Sequence, residues 1–111
     1  MRRLVTGVPV VVATALLAAG CGTGGKAVAH ADTQNGQKLF TASCGGCHTL
    51  AAAGTSGTVG PNLDDAKPDY RKATARVTLG KGVMPSFAKQ LTAQQIADVA
   101  AYVVTATGGT P

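Results

Sequence analysis

One segment restricts what this chain can fold into more than any other: residues 44–48, which read CGGCH. Two thiols three residues apart beside an imidazole suit a dithiol redox pair, a zinc site or the covalent attachment of a c-type haem. A thioredoxin-like redox pair needs a βαβ context, and the sequence shows no alternating strand pattern. A zinc site needs about four ligands, and the remaining candidates, Cys21 and His30, lie in a segment that predicts a tether.

Haem attachment is therefore the chemistry that the segment predicts. The thiols of Cys44 and Cys47 would form thioether bonds with the haem vinyl groups, and the imidazole of His48 would be the proximal iron ligand. The composition agrees, because the 111 residues include no Trp, two Tyr and two Phe. So few aromatic rings supply little buried area, and a small domain needs a staple for its core. We expect one covalent haem c, with its iron, to provide that packing surface.

Met84 is the predicted distal ligand of the iron. Apart from Met1 it is the only methionine in the sequence, and a thioether opposite a histidine raises the reduction potential of a haem. The following residue, Pro85, holds Met84 in an extended conformation and out of a helix. A complete His/Met ligand set leaves no open iron position, which argues against the alternative of an open-site peroxidase or gas-binding protein.

The first 20 residues predict a signal peptide. A basic start, Met1–Arg3, precedes the apolar stretch Leu4–Gly20, which is short for a membrane-spanning helix and is interrupted by Pro9. The run Leu17–Cys21 resembles a bacterial lipobox, although Ala stands where Leu is preferred. Cleavage before Cys21 would make this cysteine the lipidated first residue of the mature protein. A retained N-terminal helix is the alternative.

Residues 21–31 predict a lipid-anchored flexible tether, and residues 32–109 the folded domain. The tether is rich in Gly and has neither a helical nor a strand period, so His30 is interpreted as a solvated linker residue. Removal of Arg2 and Arg3 with the signal peptide reduces the basic excess from five to three. No nucleic-acid partner is predicted, because the chain lacks dense interleaving of basic and aromatic residues.

The apolar spacing in the domain predicts an all-α fold. Helices are expected over residues 33–43 and 69–79, whereas the section 51–65, which is rich in Gly, predicts a loop. The last helix has the strongest signal, because Thr92 and Gln95 fit a capping box at its start.

With these residues in place, the chain resembles class I cytochrome c, the small monohaem carriers with His/Met ligation. The resemblance covers about residues 32–108 and implies three to four short helices wrapped around the covalent haem. The attachment motif of the family is matched by Cys44, Cys47 and His48, and its distal ligand by Met84.

Further matches surround these ligands. The segment Gly60–Leu63 matches the part of the family whose proline carbonyl accepts a hydrogen bond from the proximal histidine. The resemblance therefore implies that Pro61 orients the His48 ring, with Leu63 beside it. Tyr70, Arg71 and Lys72 are candidates for binding the haem propionates. The family's contact between its first and last helices is matched by Gly36, Phe40 and Tyr102.

The function implied by the resemblance is the transfer of single electrons, without any enzymatic reaction. We expect a monomer that is lipid-anchored outside the cytoplasm, in the periplasm or at the outer face of the cell membrane, and that serves a respiratory chain. A fixed electron-entry subunit of a membrane oxidase or dehydrogenase is the alternative. The redox partner is expected to present an acidic docking surface. The basic residues near Met84 that favour such a partner are Arg71, Lys72, Arg76, Lys81 and Lys89.

Overall fold

The computed structural model of the protein describes residues 30–111, so the predicted signal peptide, Cys21 and most of the tether lie outside the described residues. The elements are α1 (Thr33–Ser43), β1 (Thr49–Leu50), β2 (Thr55–Ser56), α2 (Leu63–Ala66), α3 (Tyr70–Leu79) and α4 (Ala93–Ala106). The all-α fold class is confirmed, and within residues 30–111 no helix is long and apolar enough to cross a membrane.

The predicted loop section is more structured than the sequence indicated. Strands β1 and β2 form an antiparallel hairpin in which Thr49 pairs with Ser56 and Leu50 with Thr55. A short 3-10 turn, Ala51–Ala53, joins the two strands. Two-residue strands are too short to show an alternating pattern, and the single turn of α2 is too short to show a helical one.

Side-chain caps define where the long helices begin. The carboxylate of Asp32 accepts hydrogen bonds from the N–H groups of Gln34 and Asn35, at 3.0 and 3.1 Å, before α1. The predicted capping box of α4 is confirmed: Gln95 N–H donates to the Thr92 hydroxyl at 3.1 Å, and Thr92 N–H donates to the Gln95 side chain at 2.9 Å. These bonds satisfy amide groups that have no partner within the helix.

Helices α1 and α4 cross at Gly36, as the resemblance implied. A Cβ atom at Gly36 would lie 2.7 Å from both the Tyr102 Cβ and the carbonyl carbon of Asp98. Only a glycine allows the two backbones to approach so closely. Beside the crossing, the rings of Phe40 and Tyr102 pack with their centroids 6.0 Å apart and their planes tilted by 59°.

A buried carboxylate holds the start of the domain against α4. Asp98 is 3% exposed and accepts hydrogen bonds from Asp32 N–H at 2.8 Å, Asn35 Nδ2 at 2.9 Å and Gln94 Nε2 at 3.0 Å. Burial by itself raises the pKa of Asp98, but these three hydrogen bonds outweigh it and hold the pKa below its ordinary value. The charged form of Asp98 therefore stabilises the fold.

We predict that Asp98→Asn lowers the free energy of unfolding at pH 7 by about 1–3 kcal/mol, because its amide group would face the amide of Asn35. The depressed pKa contributes stability above pH ~4 that is lost as the pH falls through the folded-state value, so the variant should lose this acid dependence. Urea unfolding of the haem protein at pH 7 and at pH 3 measures both effects.

The exchanged pair Asn35→Asp with Asp98→Asn is the matched control, since it restores a donor opposite an acceptor. It should recover part of the lost stability. Equal stability of Asp98→Asn and the wild type at pH 7 would contradict the role assigned to this carboxylate.

Candidate haem site

An apolar cavity of about 540 Å³ lies between α1, α3 and α4. Its volume is within the range of about 300–1,000 Å³ that is usual for cofactor sites. Part of its wall is formed by residues of the hydrophobic core, so the core borders a space that the side chains do not fill. The core residues on the wall are Phe40, Val77, Phe87, Val99 and Val103.

The site residues that the sequence predicts within residues 30–111 come together on this cavity. All six lie on its wall, although they come from separate parts of the chain. They are Cys44, Cys47, His48, Pro61, Leu63 and Met84.

The turn after α1 presents the two thiols and the imidazole. Cys44 ends the helix, its N–H donating to the Phe40 carbonyl at 2.8 Å, and the N–H of His48 closes the turn on the Cys44 carbonyl at 3.0 Å. Cys44 is half-buried and Cys47 is exposed. Burial, with the nearby Cys47 sulfur adding to it, raises the pKa of the Cys44 thiol to about 11.

The ring of His48 is held in one orientation. Its Nδ1 lies 2.7 Å from the Pro61 carbonyl oxygen, and because a carbonyl only accepts, Nδ1 carries the proton and donates it. Nε2 of the neutral ring then has a free lone pair, which is what a metal ligand requires. The ring lies flush against Gly60, where a Cβ atom would lie 2.5 Å from His48 Cε1.

Met84 lies in a tight turn that forms part of the cavity wall. Lys81 and Met84 exchange two backbone hydrogen bonds of 3.0 Å each, and Gly82 between them has a φ of +59°. The Met84 side chain is partly buried and packs against the hydrophobic core. The expectation that this residue lies outside any helix is confirmed.

The donor set suits a c-type haem. Two thiols separated by two residues match the two vinyl groups, and an imidazole nitrogen with a thioether sulfur matches a low-spin iron. The apolar walls suit the macrocycle. For comparison, residues 30–111 contain no cluster of three or more His, Cys, Asp or Glu side chains that could hold a metal ion.

Three cationic side chains lie on the cavity wall, and all three were among the basic residues that the sequence placed near Met84: Lys72, Arg76 and Lys81. Of the three candidates for binding propionates, Lys72 lies on the cavity wall, whereas Tyr70 and Arg71 do not. Arg76 lies there too, one helical turn after Lys72 on α3. The spacing of four residues between Lys72 and Arg76 places both side chains on the same face of α3, next to the buried Ala73 and Val77.

Comparison with known proteins decides the family. The model of a family described as "Cytochrome C oxidase, cbb3-type, subunit III" matches residues 31–103. Cytochrome c6 of Gloeothece citriformis is 40% identical in an alignment of 77 positions that covers 66% of this chain and 70% of that protein. The chain belongs to the cytochrome c family. This cytochrome is therefore a class I monohaem electron-transfer protein with a covalently bound haem c.

Solved structures agree with this assignment. The c-type cytochrome SorU from Sinorhizobium meliloti superposes with a TM-score of 0.65 at 41% identity, covering 70% of this chain and 93% of that one. Cytochrome c6 from the diatom Phaeodactylum tricornutum gives a TM-score of 0.58 at 29% identity, covering 68% of this chain and 94% of that one. The predicted fold class, that of a small class I cytochrome c, is thereby confirmed.

Proposed function

We propose that this cytochrome is a monohaem carrier of single electrons in which Cys44 and Cys47 hold the haem and His48 and Met84 are its axial ligands. The observation that carries the proposal is the meeting of all four donors on the wall of one apolar cavity. When bound, the haem supplies one-electron chemistry by cycling between its ferric and ferrous states.

Backbone groups next to the ligands hold them in position. The Pro61 carbonyl fixes the proton on His48 Nδ1, which leaves Nε2 as the nitrogen that would bind the iron. The backbone pair between Lys81 and Met84 fixes the turn that carries the thioether. With His48 and Met84 as its two ligands, the iron would keep no open position for a substrate, as expected of a carrier rather than an enzyme.

The edge of the cavity forms the proposed docking surface. Two apolar side chains there are strongly exposed, Val59 at 66% and Val83 at 82%. Lys72, Arg76 and Lys81 lie on the same wall. An apolar centre with basic neighbours fits a redox protein whose docking surface is acidic at its margin, and the charges act mainly on the encounter rate.

The N-terminal residues supply the proposed location. Residues 1–20 act as a signal peptide of the lipoprotein type, Cys21 carries the lipid, and residues 22–31 tether a monomeric domain outside the cytoplasm. Stable anchoring takes two membrane signals rather than one acyl chain.

The intact mass of the mature protein should therefore exceed that of residues 21–111 plus one haem by two or three acyl chains. A mass that retains residues 1–20 would contradict lipidation at Cys21.

The ligand assignment predicts the properties of Met84→Ala. Loss of the thioether should leave the haem covalently attached, lower the reduction potential, abolish the far-red absorption band between sulfur and iron, and open a site for carbon monoxide. Val83→Ala is the matched control, since it shortens the exposed neighbour on the same turn. If the far-red band survives in Met84→Ala, another residue is the ligand.

The docking assignment predicts a dependence on salt. Electron transfer to the native partner should slow as salt is added, because charges more than about 8 Å apart are screened at physiological ionic strength. At low salt, Lys81→Glu should slow transfer by up to about tenfold. Lys38→Glu on α1, an exposed position away from the cavity, should have a much smaller effect. Rates that respond to neither change would exclude basic steering.

A further inference from the structure

The hairpin of β1 and β2 packs directly against the turn that carries the thiols and the imidazole. A Cβ atom at Gly57 would lie 2.6 Å from the carbonyl carbon of Cys47, so the two backbones are in close contact. The hydroxyl of Thr49 donates to the Gly57 carbonyl at 2.9 Å, and the N–H of Gly60 donates to the Cys47 carbonyl at 2.7 Å. The hairpin and the turn are therefore joined by hydrogen bonds and by close packing of their backbones.

Thr55 is the side chain that connects the hairpin to His48. Its hydroxyl donates to the His48 carbonyl at 2.9 Å and accepts from the N–H of Leu50 at 3.1 Å. Its methyl group fills the space above Gly45, where a Cβ atom would lie 2.5 Å from Thr55 Cγ2. The hydroxyl and the methyl group of Thr55 therefore both contact the segment 44–48.

His48 is consequently held at two ends. Pro61 fixes the ring through Nδ1, and Thr55 fixes the main chain through the carbonyl. The contacts with Pro61 and Gly60 orient the ring, and the bond from Thr55 fixes the main chain from which the side chain extends. Asp64 of α2 in turn holds the hairpin, since its carboxylate accepts from the N–H of Ala51, between the two strands, at 2.9 Å.

We propose that Thr55 is a positioning residue for His48, and that through the His48 backbone it sets the plane of the imidazole at the haem iron. The proposal rests on the proposed role of His48 as proximal ligand. Loss of the Thr55 hydroxyl would leave the His48 carbonyl and the Leu50 N–H without this partner, in a half-buried position. The His48 main chain would then be less constrained, and the ring plane would shift with it.

The test compares Thr55→Val, which keeps the shape and removes the hydroxyl, with Thr55→Ser, which keeps the hydroxyl. The readouts on the ferric haem protein are the paramagnetic shifts of the haem methyl groups and the electron paramagnetic resonance g-values, both of which depend on the plane of an axial imidazole. Thr55→Val should change the spread of both, and Thr55→Ser should retain the wild-type pattern. Thr58→Val, the same change at an exposed position nearby, is the control.

The outcomes separate the two proposals. If the wild-type protein shows histidine ligation but Thr55→Val has the wild-type shifts and g-values, Thr55 does not position His48. If the wild-type signals exclude histidine ligation altogether, the proposed function itself fails. Should Thr55→Val yield no folded haem protein, Thr55→Ser and Thr55→Ala differ only in the hydroxyl, and identical spectra for these two would overturn the proposal.

Discussion

The constraint on which the rest of this structure depends is a core built around a cavity. Phe40, Val77 and Phe87 are buried, yet each also forms part of the cavity wall. With four aromatic residues in the chain, side chains alone leave this centre unfilled. The covalent haem c of this cytochrome is therefore a packing element as well as a redox group, in keeping with the need of small domains for a staple.

The helices around this centre are placed by contacts away from it. Gly36 lets α1 and α4 cross closely, and the Asp98 carboxylate ties the beginning of α1 to α4 through the Asp32 N–H. This crossing sets the end of α1, and with it Cys44, beside the wall that α4 contributes. Loops supply the remaining donors, which is common for functional residues carried by a rigid scaffold.

The sequence indicated the chemistry of the site better than the path of the chain around it. The motif of residues 44–48 and Met84, the only methionine besides Met1, identify the donors by residue type. Few other residue types can bind a haem covalently or ligate its iron. The hairpin that contains Thr55 escaped prediction since its strands have two residues each, below the length at which a period is visible. The buried Asp98 also escaped, because only its tertiary partners make a carboxylate acceptable within an apolar helix face.

The central claim, that the covalent haem completes the core, is tested most directly by calorimetry of the chain that cannot bind it. Cys44→Ala with Cys47→Ala removes both proposed thioether bonds and adds no bulk. The wild-type haem protein should unfold cooperatively, whereas the haem-free double variant should show no cooperative heat-absorption peak. A cooperative transition of comparable enthalpy in the haem-free chain would show that the side chains alone form a sufficient core, and that the haem is not needed to complete it.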